Sequence, residues 1–138
     1  MYSRFYNAVG DILQSSLPSL TCRRGPVPAE GDEGTIYYDV AGMTQKEKEE
    51  DAKISVRYVY FPDHKPCAVD DGLLIASAVS TLEYRGNRLD AEKMEFKTHG
   101  KHVEVTIVYG VDDPGALSIG KSKVAVRMKT ITLSVNVA

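Results

Sequence analysis

Residues 102–111 read His-Val-Glu-Val-Thr-Ile-Val-Tyr-Gly-Val. Val103, Val105, Ile107 and Tyr109 take every second position, and most of the residues between them are polar or small. Side chains of an extended chain alternate between two faces, so this is a strand with one buried face. Thr98-His99-Gly100-Lys101 precedes it and reads as a tight hairpin turn in which glycine supplies a positive φ. Ala91–Lys97, with apolar Met94 and Phe96, is the incoming strand.

Downstream, Val124, Val126 and Met128 alternate, and then Ile131, Leu133, Val135 and Val137. The apolar phase moves from even to odd positions near Lys129–Thr130. That shift predicts a bulge, a bend, or passage from one sheet neighbour to another. Upstream, Ala52–Phe61 forms a strand with Ile54, Val56, Tyr58 and Tyr60 on one face. Lys53, Ser55 and Arg57 take the other, which Val59 and Phe61 make apolar near its end. Thr35–Val40 is rich in β-branched and aromatic residues, and Leu20–Arg24 is a short strand candidate.

Two segments follow the helical period instead. Tyr2, Phe5, Tyr6, Val9, Ile12 and Leu13 make one stripe over residues 2–17, closed by Pro18. A second helix is expected within residues 70–83, capped by Asp70 or Asp71, with Leu74, Ile75, Ala78 and Leu82 as its core face. Arg85-Gly86-Asn87 ends it. The order α-β-β-β-α-β-β-β gives an α+β fold, a mainly antiparallel sheet with two helices packed on it. One domain over residues 1–138 is expected from the length.

Composition narrows the function. The formal charge of −2 disfavours bulk nucleic-acid binding, and no run approaches the length of a membrane-spanning helix. The N-terminus has no apolar leader core, so a secretory signal is not expected. Cys22 and Cys67 are then expected as free thiols. No nucleophile elbow, phosphate loop or dinucleotide fingerprint occurs, and no cofactor or metal is expected.

Some clusters still carry possible chemistry. His64, Cys67 and Asp70 are zinc-ligand types in close spacing, but a closed site needs four ligands. The favoured reading is a proline-rich turn with a buried cysteine. His99 and His102 flank the turn glycine, facing each other or simply solvated. Asp112 and Asp113 are adjacent, so they point apart in an extended chain and mark a turn before Pro114-Gly115. Arg23 and Arg24 at a strand end suit acidic groups on a neighbouring subunit. Gly25–Gly34 is a breaker-rich loop and a candidate extended arm. Lys46-Glu47-Lys48-Glu49-Glu50-Asp51 reads as a solvated loop, with a partner-binding hairpin as the alternative.

The order of elements resembles the tail-terminator and tail-completion proteins of long-tailed bacteriophages. The resemblance rests on the amphipathic N-terminal helix, the polar excursion Met43–Asp51, and Ile54-Ser-Val-Arg-Tyr-Val-Tyr-Phe61 leading to a helix and a terminal antiparallel set. It implies a virion protein, assembled in the host cytoplasm, that forms a homo-hexameric ring. It implies a tail tube protein and a head connector or stopper as partners, DNA passing through the lumen without specific binding, and no membrane. It implies no catalysis and no cofactor. The loop Val111–Lys123 and the polar link after the second helix depart from the pattern, which leaves open terminator, head-completion or another neck component. Arg23, Arg24, Lys46, Glu47, Lys48, Glu49, Asp112 and Asp113 are the expected interface residues, and Met43–Asp51 and Val111–Lys123 the expected contact elements. A small α+β ligand-binding or regulatory module, and an enzyme using His64 or His99, are the competing readings.

Overall fold

The computed structural model describes residues 3–44, 53–84, 87–111 and 132–137. The elements are α1 (Ser3–Ser16), β1 (Thr21–Arg24), β2 (Thr35–Thr44), β3 (Lys53–Phe61), α2 (Ala68–Val79), β4 (Thr81–Tyr84), β5 (Asn87–His99), β6 (His102–Val111) and β7 (Thr132–Val137). The strands form one sheet in the order β1-β2-β3-β6-β5-β4, with β7 also on β5. This is the expected α+β class, mainly antiparallel, with β4 added to the expected elements.

The hairpin β5–β6 is the centre of the structure. His99 lies opposite His102, and Gly100 between them has φ 56, a conformation open to glycine at little cost. Val103, Val105, Ile107 and Tyr109 are fully buried, as the alternation requires. On β3, Ile54, Val56, Tyr58 and Tyr60 are buried on the same face. The opposite face carries a smaller apolar cluster of Tyr37, Val59 and Phe61, joined by Val27.

β5 is longer than its expected span of residues 91–97, and its outer edge serves two short strands. Residues 87–90 pair antiparallel with β4, and residues 93–98 pair parallel with β7. The C-terminal strand therefore runs parallel to its neighbour, where an antiparallel set was expected. At the other end, β1 pairs parallel with β2. Helix α1 touches β1 and β4, the two ends of the strand order, so the sheet curls around it. Phe5, Val9 and Leu13 fill that curl, and Tyr6 Oη accepts a hydrogen bond from Val40 N at 2.9 Å.

Helix α2 lies over β5 and β6 and beside α1. It begins and ends earlier than residues 70–83. Its N-cap is Cys67, with neither aspartate in that role. Asp71 instead turns back, its Oδ2 accepting from Cys67 N at 2.9 Å. The helix stops at Val79 because the next residues join the sheet. Ser80 O accepts from Ala91 N, and Leu82 reaches the core from strand β4. Its buried face is Ala68, Asp71, Gly72, Ile75, Ala76 and Val79. Leu74 lies outside that face, 40% exposed. Small residues face the sheet so that the helix axis can approach it closely.

Two buried hydroxyls tie the end of α2 to the sheet. Tyr109 Oη donates to Val79 O at 2.7 Å, which leaves Tyr58 Oη to donate to Tyr109 Oη at 2.7 Å. Burial pushes both phenols well above their ordinary range, so they stay neutral donors. Among the described residues no helix is long and apolar enough to cross a membrane.

Candidate functional site

Three segments meet at one end of the sheet. Residues 25–34 connect β1 to β2 and fold back across the outer sheet face, so this loop is not an extended arm. Val27 joins the Tyr37–Phe61 cluster, and Gly31 lies against both of those rings. Apolar contact holds the loop down, an outcome its breaker-rich composition did not suggest. Residues 61–66 leave β3, and the β5–β6 turn closes the third side. Between them is a cleft of ≈ 510 Å³, a size typical of small-ligand pockets. All three histidines of the chain line it, with Glu30, Glu33, Asp63, Lys101, Phe61, Pro62 and Pro66.

His64 is clamped on both ring nitrogens. Nδ1 lies 3.0 Å from Asp63 Oδ1, and Nε2 lies 2.8 Å from Asp71 Oδ1. A neutral imidazole has one N–H, so only the imidazolium donates to both carboxylates. Asp71 is 4% exposed and sits in the first turn of α2, where negative charge is favoured. Its two oxygens take His64 and the Cys67 amide, pinning residues 64–67 to the helix. Asp70 of the expected trio is exposed, and Asp71 is the carboxylate that meets His64. Cys67 is half-buried, short of the buried hydrophobe expected, and like Cys22 it is a free thiol.

This clamp has a defined pH window. The hydrogen bonds to Asp63, and then to Asp71, raise the His64 pKa above its ordinary 6.5. Its contribution to stability is complete below 6.5 and is lost as pH rises through the higher folded value. The His64 hydrogen bond lowers Asp63 below its ordinary 3.8. That contribution is complete above 3.8 and is lost as pH falls through the lower folded value. The difference in thermal midpoint between the natural chain and His64→Ala is therefore expected to be widest between those two pH values. It should narrow as pH rises further. Proton resonances of the rings, followed by titration, should place His64 above 6.5 and His102 below it.

His102 behaves oppositely because it is partly buried. Burial first, and the neighbouring His99 second, lower its pKa. Its ring centroid is 5.0 Å from that of Phe61 and 5.3 Å from that of His99. His102 is thus packed against the sheet and faces His99, while the His99 side chain stays 41% exposed at the turn, so the solvated-turn reading fails for His102 alone. His99 Nε2 faces Glu104 Oε2 at 3.3 Å. Glu104 also takes Arg57 Nη1 at 3.4 Å, and Arg57 forks onto Asp39 at 3.2 and 3.0 Å. A row of charges thus crosses the outer face of β2, β3 and β6. No group of three or more histidine, cysteine or acidic side chains among the described residues is placed to hold a metal ion.

The expected interface residues separate. Arg23 is exposed on the edge strand β1. Its neighbour Arg24 lies over the Tyr6 ring, 3.9 Å from its centroid, and so braces α1. Lys46, Glu47, Lys48, Glu49, Asp112 and Asp113 lie outside the described residues. So do nearly all of the two expected contact elements, although Met43 and Thr44 belong to β2. The alternation in Val124, Val126 and Met128 and the phase change at Lys129–Thr130 fall there too.

A second surface lies on α2. Val69, Leu73 and Leu74 are 44%, 46% and 40% exposed. The helix is thus apolar on the side facing the sheet and over much of the side facing away. Helices apolar all round are normally covered on both sides. Comparison with known proteins returns neither a family model nor a curated sequence that matches the chain.

Proposed function

We propose that this chain is a structural virion subunit that forms a ring at the head–tail junction of a long-tailed bacteriophage. The ring terminates the tail tube and joins it to the connector. The observation that carries the reading is the outward face of α2, where Val69, Leu73 and Leu74 stand exposed on a helix whose other face is fully packed. A face of this kind is covered when a second copy docks on it. A ring subunit presents two different surfaces to its two neighbours. The outward face of α2 supplies one, and the edge at β1 is available for the other. The element order of the phage completion proteins supports the same reading.

Mass measurement of the purified protein, with electron microscopy of the product, tests it. A closed ring, of six copies in the resemblance, that stacks on tail tubes is the expected result. A stable monomer at all concentrations overturns it. The cleft at the sheet end favours a second reading, a small ligand-binding module, for which a monomer that binds a small molecule there is the matching outcome.

A further inference from the structure

We propose that the cleft receives the Arg23 side chain of a neighbouring copy. This rests on the ring reading and names one of its contacts. The argument starts from which charges are already satisfied. Arg24 lies on Tyr6, Arg57 is shared by Asp39 and Glu104, and Arg88 pairs with Asp90 at 2.9 Å. The Arg23 side chain has no hydrogen bond, ion pair or ring contact among the described residues, and it stands exposed on an edge strand. On the cleft side, Asp63 is held by His64. Glu30 and Glu33 line the cleft, exposed and without a partner among the described residues. Lys101 lines it too and forms an ion pair with neither.

Among the described residues, Arg23 is thus an unsatisfied arginine, and the cleft carries two unsatisfied carboxylates. A guanidinium is suited to that cleft. Its fork matches carboxylate oxygens, and its weakly hydrated plane lies well against a half-buried ring such as His102. Pro66, half-buried at the cleft, offers apolar surface to its methylene stem. Within one chain the two partners do not come within ion-pair distance. Across copies, the arginine of each subunit enters the cleft of the next. That contact is head-to-tail, uses a different surface on each side, and closes by rotation.

A charge swap tests this, read as solution mass over a concentration series. Arg23→Glu is expected to weaken association at least about tenfold, because two like charges then meet in a shielded cleft. Glu30→Arg combined with Glu33→Arg should do the same. Joining all three substitutions should recover most of the loss. All three positions are exposed, so circular dichroism should be unchanged; if Arg23→Glu perturbs the fold, Arg23→Gln decides, with a weaker loss in the same direction. Rings that form as in the natural chain despite Arg23→Glu, or a swap that recovers nothing, overturn the contact and leave the ring reading standing. A natural chain that stays monomeric overturns both.

Discussion

Phe96→Ala is expected to lower the free energy of unfolding by about 3–5 kcal/mol, the loss typical of a large aromatic removed from a packed core. Phe96 is 1% exposed, on β5 beneath helix α2. The ring fills the space that Gly72 leaves open. A Cβ built at Gly72 would lie 2.9 Å from Phe96 Cγ and 3.0 and 3.1 Å from its two Cδ atoms. That approach is closer than carbon atoms tolerate, and a buried ring has little room to retreat.

The same contact reverses a usual rule. Gly→Ala inside a helix normally stabilises by about 1 kcal/mol. At position 72 the overpacking strain should exceed that gain and leave a net loss of about 1–2 kcal/mol. The two sites share one contact, so their effects should not add. Gly72→Ala should cost less in a Phe96→Leu background than in the natural chain. Urea unfolding of the singles and the double measures all of this. A loss below about 1 kcal/mol for Phe96→Ala would mean that α2 does not rest on β5 in this way.

Local alternation made the centre of this fold legible. β3 and β6 each bury every second residue on one face, and the two-residue Gly100-Lys101 turn fixes the β5–β6 hairpin. Helix α1 was equally readable, because Phe5, Val9 and Leu13 repeat at four-residue intervals. The bulge in β5 was not. Leu89 and Ala91 are buried at odd positions, Met94 and Phe96 at even ones, and Glu92 is the extra residue between. Only pairing with β6 makes that shift visible, since a strand begun at Ala91 hides it. The extra residue's carboxylate pairs with Lys53 at 3.0 Å.

Helix α2 shows a different limit. Both of its faces are apolar, so periodicity could not say which side meets the sheet. Ile75 is buried as expected, but Leu74 is not, Leu82 lies on β4, and Gly72 and Ala76 join Ile75 on the face toward the sheet. Close packing selects the side on which Gly72 and Ala76 let the helix approach, a feature that a hydrophobicity pattern does not weigh. The cleft was less legible still. Residues 29–33, 61–66 and 99–102 are distant in sequence, and only the sheet brings their histidines and carboxylates together. The His64–Asp71 pair was within reach, since the two residues are close and a helix start lay between them. What hid it was the assignment of Asp71 to the cap position, where its carboxylate would have faced the helix amides.

If the chain forms the proposed ring, Leu73→Glu is expected to abolish its assembly while leaving the monomer's stability within about 0.5 kcal/mol, the usual range for an exposed position. Leu73 is 46% exposed and lies one helical turn beyond Val69, with Leu74 beside it. Burying a leucine of this kind against a neighbour contributes about 1.5–3 kcal/mol at most. A carboxylate placed there also has to lose its water without a partner, which adds a cost larger than the lost apolar contact. Together these predict at least about hundredfold weaker association at each interface. A ring repeats that loss at every subunit boundary, so closure should fail altogether. Leu73→Met keeps the apolar character and should assemble as the natural chain does, which separates shape from charge. Sedimentation of both variants, with thermal melts of each, reads the outcome. If Leu73→Glu sediments as a ring, the outward face of α2 is not the subunit contact. If it fails to fold, the residue is part of the core, and the exposed face of α2 no longer argues for a second copy.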